Sequence, residues 1–161
     1  MTVDTKTVSG RRTVHYSTYD DILADAERLA AGPVKTVGNW SYGQILEHLA
    51  TSFNSSIDGI PMKPPIAIAL IARWFMKKRF LTKPLPSGYK IPPDSESHFL
   101  PAESAEVEAG IGALRAALER CKTESKRCKH PLLGNLTLDE WEQWGARHAE
   151  MHMSFVLPAE S

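Results

Sequence analysis

The sequence predicts an all-α protein, a four-helix bundle in which a long proline-rich crossover holding an extra helix joins the second and third main helices. Three observations carry this. Four segments repeat apolar residues with the 3.6-residue period of an amphipathic helix. Two of them open on a capping box. No segment alternates apolar and polar residues over a strand's length, and no internal repeat is found. A short first connection and a long second one are the pattern of a bundle with a crossover, and such bundles keep their sites inside.

Residues 1–16 are polar and aperiodic apart from Val14 and Tyr16, and read as an arm. Ser17 or Thr18 then caps a helix running to about Ala31, with Ile22, Leu23, Ala26, Leu29 and Ala30 on its apolar face and Gly32-Pro33 as the stop. In the second helix Ser41 and Gln44 form a capping box. Ile45, Leu46, Leu49, Phe53 and Ile57 make its apolar face before Gly59 and Pro61 end it. Residues 59–103 are the crossover. Between Gly59 and Pro101 lie 8 of the chain's 11 prolines, which leaves Ile66 to about Phe80 as the one helix candidate there. A third main helix is expected from about Ser104 to Arg127, with Val107, Ile111, Leu114, Leu118 and Cys121 as its stripe and Cys128 continuing it. The last helix opens at Thr137 with Glu140 as its capping partner and runs to about Leu157 before Pro158.

At 161 residues and 17.9 kDa the chain is expected to form a single domain spanning 1–161. A domain of this size buries roughly 68–70% of its unfolded surface, so neither disulfides nor a structural metal is needed for folding. Any metal must be argued as functional. Lys+Arg 19 against Asp+Glu 19 gives no net charge, which argues against nucleic acid as a partner. Two cysteines seven apart on a predicted helix cannot reach one another and read as small core residues of a reducing compartment. The N-terminus has no apolar leader segment, and the longest apolar stretch, Pro64 to Ala72, is far short of the roughly 20 residues of a membrane span. A cytoplasmic protein acting on a small-molecule substrate is the expectation, with a homodimer left open.

Six histidines remain to be placed. At 100° per residue, Trp141, Trp144, His148, Met151, His152 and Phe155 fall within roughly one 100° arc of the last helix, so His148 and His152 face the bundle and Glu150 lies opposite. An i, i+4 pair of imidazoles on one face reaches a single metal ion, as in helices that carry two zinc ligands. The other reading is two core histidines bonded to backbone or to each other. His48 falls with Ser41, Ser52 and Ser55 on a small polar face of the second helix, and spacing alone leaves it open between a ligand and a solvated side chain. His15, His98 and His130 lie in arm or loop.

Two segments resemble a known family, the DinB-like metalloenzyme superfamily, and within it a branch of unknown function. Trp40-Ser41-Tyr42-Gly43-Gln44-Ile45-Leu46-Glu47-His48-Leu49 is similar to the family's W-S-x-G-Q-x-x-x-H-L signature. His130-Pro131-Leu132-Leu133-Gly134, Leu136-Thr137 and Glu140-Trp141, running into His148 and His152, are similar to its second block. The resemblance implies an up-down-down-up bundle with one metal-binding histidine from helix two and two from the last helix, here His48, His148 and His152. This sequence departs from the branch's commoner pattern at Met151, where another histidine often stands. Characterised relatives in the wider superfamily use low-molecular-weight thiols, as bacillithiol S-transferases and mycothiol-dependent isomerases do.

Three neutral imidazoles would hold a divalent ion such as zinc or nickel with at least one position open. A thiol placed there would be deprotonated at neutral pH, while a water would have its pKa lowered toward about 7 and could hydrolyse an ester or amide. No acid stands at a HExxH position, which favours thiol transfer over hydrolysis, since a metal thiolate needs no separate base. A non-catalytic metal-binding bundle is the rival from another class. Between Gly59 and Pro93 the chain carries Lys63, Arg73, Lys77, Lys78, Arg79, Lys83 and Lys90 and no acidic residue. This block reads as a solvated loop, as a guide for an anionic cofactor, or, over Ile66 to Phe80, as a basic amphipathic helix lying on a membrane surface.

Overall fold

The computed structural model describes residues 2–159, and its architecture is mostly helical. In chain order it has α1 (Tyr19–Ala30), β1 (Val34–Thr36), α2 (Tyr42–Asp58), α3 (Ile66–Ile71), a π-helical turn (Ala72–Met76), α4 (Lys77–Thr82), α5 (Pro93–Phe99), α6 (Val107–Thr123), α7 (Leu138–Met153) and β2 (Val156–Pro158). Thr18, Ser41 and Thr137 cap α1, α2 and α7, and in each case the N3 side chain, Asp21, Gln44 or Glu140, returns the bond to the cap. These reciprocal bonds satisfy amide donors that a helix start leaves unpaired. No helix among the described residues is long and apolar enough to cross a membrane.

Helix α6 packs along α2 and α1, and α7 packs against α1, α2 and α4. Between them lies one core of aliphatic and aromatic side chains in which Ile22, Leu46, Leu49, Ile57, Leu114, Leu118 and Met153 are fully enclosed. Two glycines set how closely the helices approach. A Cβ at Gly110 would stand 2.7 Å from Leu46 Cβ, and one at Gly145 would stand 2.5 Å from Phe53 Cε1, so α2 fits tightly between α6 and α7 only because both lack a side chain.

Several elements differ from the sequence reading. α6 ends at Thr123 rather than at about Arg127, so Cys128 leaves the helical stripe and sits half-buried with its thiol 3.4 Å from Ser55 O. α7 stops at Met153, because the chain then turns into β2, which pairs antiparallel with β1 in the register Val34 to Pro158 and Thr36 to Val156. Strands of three residues are too short to show a two-residue period. α5 forms within the proline-rich crossover, where Pro93 supplies a first-turn residue that has no amide to leave unpaired.

The N-terminal arm is fixed to α7 by buried polar bonds. Glu150 accepts the Tyr16 amide at 2.7 Å and pairs with Arg147 at 2.6 Å, and Arg147 donates to the Tyr16 carbonyl. Glu150 thus lies away from His148 and His152, as its helical position predicts, but it is buried and holds the arm.

Candidate metal centre

Helix α7 carries His148 and His152 one turn apart, with their Nε2 atoms 3.0 Å from each other. Helix α2 brings His48 against them, its ring centroid 5.4 Å from that of His148 and 4.6 Å from that of His152. One ring nitrogen from each of the three lies within 4.8 Å of the others. Tetrahedral zinc with Zn–N bonds of about 2.0–2.1 Å spaces its nitrogen ligands by roughly 3.3 Å, so shifts on the order of 1 Å would close the three onto one ion. The structure therefore brings His48, His148 and His152 into a cluster that could bind a metal ion, and the close approach at Gly145 makes that meeting of α2 and α7 possible.

His48 is 5% exposed and not the solvated side chain that its polar neighbours allow. Its Nδ1 lies 2.8 Å from the carbonyl oxygen of Phe99, the last residue of α5. A carbonyl only accepts, so Nδ1 carries the proton and Nε2 keeps its lone pair for a ligand. A backbone bond of this kind fixes the tautomer and orients a metal-binding imidazole. His148 and His152 are each braced by a tryptophan. The Trp144 ring lies nearly parallel to His148 at 6.1 Å, and Trp40, from the loop before α2, is nearly parallel to His152 at 5.6 Å.

The electrostatics favour neutral rings. Burial pushes His148 down to about 3 and holds His152 well below the ordinary histidine value, with mutual repulsion among the rings adding to both. Burial lowers His48 as well, against a smaller opposing effect of the Phe99 carbonyl. Neutral imidazoles are the form that binds metal. Two lone-pair nitrogens 3.0 Å apart repel unless one donates a proton to the other or both face a shared cation. A donor set of three neutral nitrogens with no carboxylate among them suits a borderline divalent ion.

The cluster opens on a cavity of about 1410 Å³ whose wall takes in the first residues of the arm, the helical segment Ile66–Thr82, α5 and the Leu85–Ile91 loop. Among its described lining residues the only carboxylates are Asp4 and Glu96, and neither bonds a histidine of the cluster.

His130 proves closer to the site than its loop position suggests. It is 5% exposed, meets Trp144 edge-on at 4.8 Å, and its Nδ1 accepts the Leu132 and Leu133 amides at 3.2 and 3.0 Å. Gly134, at φ +78°, closes this turn with reciprocal backbone bonds of 2.9 Å to His130. The signal in the sequence was the tight His130-Pro131-Leu132-Leu133-Gly134 turn just before α7. His15 bonds Glu150 at 3.2 Å and His98 bonds Ser55 Oγ at 2.8 Å, and neither joins the cluster.

The chain is mostly helical and brings three imidazoles together beside a large cavity, a cluster that could bind a metal ion. The chain matches, over residues 8–159, the family described as a protein of unknown function (DUF1569), and it belongs to that family. No curated protein and no solved structure matches it.

Proposed function

We propose that this protein is a divalent-metal enzyme of the DinB-like type that uses a low-molecular-weight thiol to transfer to, or isomerise, a small apolar substrate in the cytoplasm. The observation that carries the reading is a three-histidine cluster at the wall of a large cavity, with no carboxylate bonded to it. An ion such as zinc or nickel held there would lower the pKa of a thiol or water at its open position. Thiol chemistry then needs no further base, whereas hydrolysis commonly draws on a positioned carboxylate.

The chain's own residues do the rest. His48, fixed by the Phe99 carbonyl, and the His148–His152 pair, braced by Trp144 and Trp40, hold three nitrogens in place before anything binds. Phe53, Met76, Phe80 and Phe155 give the cavity apolar walls. Trp141 adds its ring to that wall, while its Nε1 is buried with no hydrogen-bond partner among the described residues.

The family placement draws support from where the two similar segments meet. Trp40 and His48 from the first stand against His152 and His148 from the second, about a hundred residues on in the chain, and His130 packs behind them on Trp144. The four longer helices also contact one another in a closed ring, α1 to α6, α6 to α2, α2 to α7 and α7 to α1, which suits an up-down-down-up four-helix bundle. The test is a screen of metal-loaded protein against several thiols with a generic electrophile. A rate above that of free metal, abolished in His148→Ala, is expected. No such rate with any thiol would end the thiol reading.

A further inference from the structure

The segment from Ile66 to Thr82 has two apolar faces. One, with Ala72, Met76 and Phe80, lines the cavity, and Phe80 meets Trp144 edge-on at 6.2 Å. The other faces outward, and none of the described residues covers it. Ile66 is 80% exposed, Trp74 78% and Phe75 80%, and Leu70 between them is also exposed. Ile66, Leu70, Trp74 and Lys78 are spaced by four, so they form one stripe that starts apolar and ends charged. The π-helical turn at Ala72–Met76 carries two consecutive large aromatics, and both stand out into solvent there. Contiguous exposed apolar patches of this kind mark interaction sites.

Charge says which partner. From Gly59 to Pro93 there are seven basic residues and no acidic one, so the remainder of this neutral chain carries a net charge of −7 (12 basic against 19 acidic). Lys77 is committed to Glu140 at 2.8 Å, but Lys78, Arg79 and Lys83 are exposed beside the aromatics, and no ion pair among the described residues involves them. An anionic surface would attract this face and repel the rest of the molecule, which orients the protein as well as binding it. A second copy docking on the same face would set basic block against basic block across a twofold axis. We propose that the outward face of residues 66–83, with Ile66, Leu70, Trp74 and Phe75 inserted and Lys78, Arg79 and Lys83 at the headgroups, seats the protein on an anionic lipid surface.

The seat is separate from the metal centre, because none of its outward residues lines the cavity onto which the cluster opens. The experiment is sedimentation of the full chain with vesicles of phosphatidylcholine alone and with about 30 mole percent phosphatidylglycerol added, because the binding of such helices depends on attraction to anionic lipid. Binding to the anionic vesicles only is expected, weakened by salt. Lys78→Glu with Arg79→Glu should reduce the partition coefficient more than about tenfold, since each basic group near such a surface contributes about 1 kcal/mol, or roughly fivefold. Trp74→Ala with Phe75→Ala should also weaken it by about tenfold or more. Both pairs are exposed, so the fold should keep its melting temperature, and His148→Ala should bind vesicles as the parent does. Failure to sediment with anionic vesicles at low salt would overturn the proposal. So would equal binding by the charge-reversed variant, or a dimer in sedimentation equilibrium that Trp74→Ala with Phe75→Ala dissolves while vesicles are ignored.

Discussion

The two sides of α2 show how one helix can serve stability and chemistry separately. Toward α6 and α1 it presents Leu46, Leu49 and Ile57, all fully enclosed, with Phe53 edge-on to Tyr19 at 5.7 Å. Toward α5 and the cavity it presents His48, Ser52 and Ser55, a face of small polar groups around one imidazole. The first side is close-packed hydrocarbon, where each methylene matters. The second is held by a few directed bonds and keeps space for a ligand. Changes on the first side should move stability and spare metal affinity, and changes on the second should do the reverse.

The largest effect is expected on the packed side. Leu46→Ala removes a fully buried side chain beside Gly110 and should cost about 2–5 kcal/mol in urea unfolding, with metal affinity of the folded fraction unchanged. A loss below about 1 kcal/mol would mean that the α2–α6 contact is looser than its geometry.

Acid should act next, on the site side. Burial holds His130 at about 4, and its Nδ1 can accept two amides only while unprotonated. The unfolded chain takes up that proton at about 6.5, so His130 supports the fold fully above that pH and the support is lost as pH falls toward 4. In thermal melts of metal-free protein His130 should account for about 2–3 kcal/mol of the stability lost between pH 7 and 4, on top of the loss from the buried cluster histidines, and His130→Gln should remove that share. Parallel pH curves for the two proteins would contradict the assignment.

A smaller stability effect, but a large functional one, is expected at His48. His48→Ala leaves the apolar face of α2 whole, so apo stability should change by no more than about 1 kcal/mol. Metal affinity should fall by more than the 10–100-fold typical of losing a supporting bond alone. Titration calorimetry of parent and variant separates the two. The smallest effect is expected at an exposed tie between α1 and α6. Arg115→Ala removes a pair with Glu27 at 2.7 Å and should cost about 0.5 kcal/mol or less, since packing rather than charge joins these helices.

What could be read from the sequence follows the same division. Caps and apolar stripes are local, so α1, α2 and α7 were legible to within a few residues, Ser41 with Gln44 and Thr137 with Glu140 marking their starts. His148 and His152 share a helix face, and that too is local. His48 was ambiguous from spacing because the groups that bury it, the Phe99 carbonyl and the Trp40 ring, come from other parts of the chain. The β1–β2 pair joins residues more than a hundred apart with three residues each, and His130 enters the site through a turn whose consequence is tertiary. α5 was hidden by the prolines around it.

The central claim is that His48, His148 and His152 form one metal centre. Its most direct measurement is the metal content of protein purified without an affinity tag and reloaded with zinc or nickel, for the parent, His48→Ala, His148→Ala and His152→Ala. One tightly held ion per chain is expected in the parent and none retained through gel filtration in any of the three variants, each still folded by circular dichroism. Unchanged stoichiometry in the variants, or no retained ion in the parent, would contradict it.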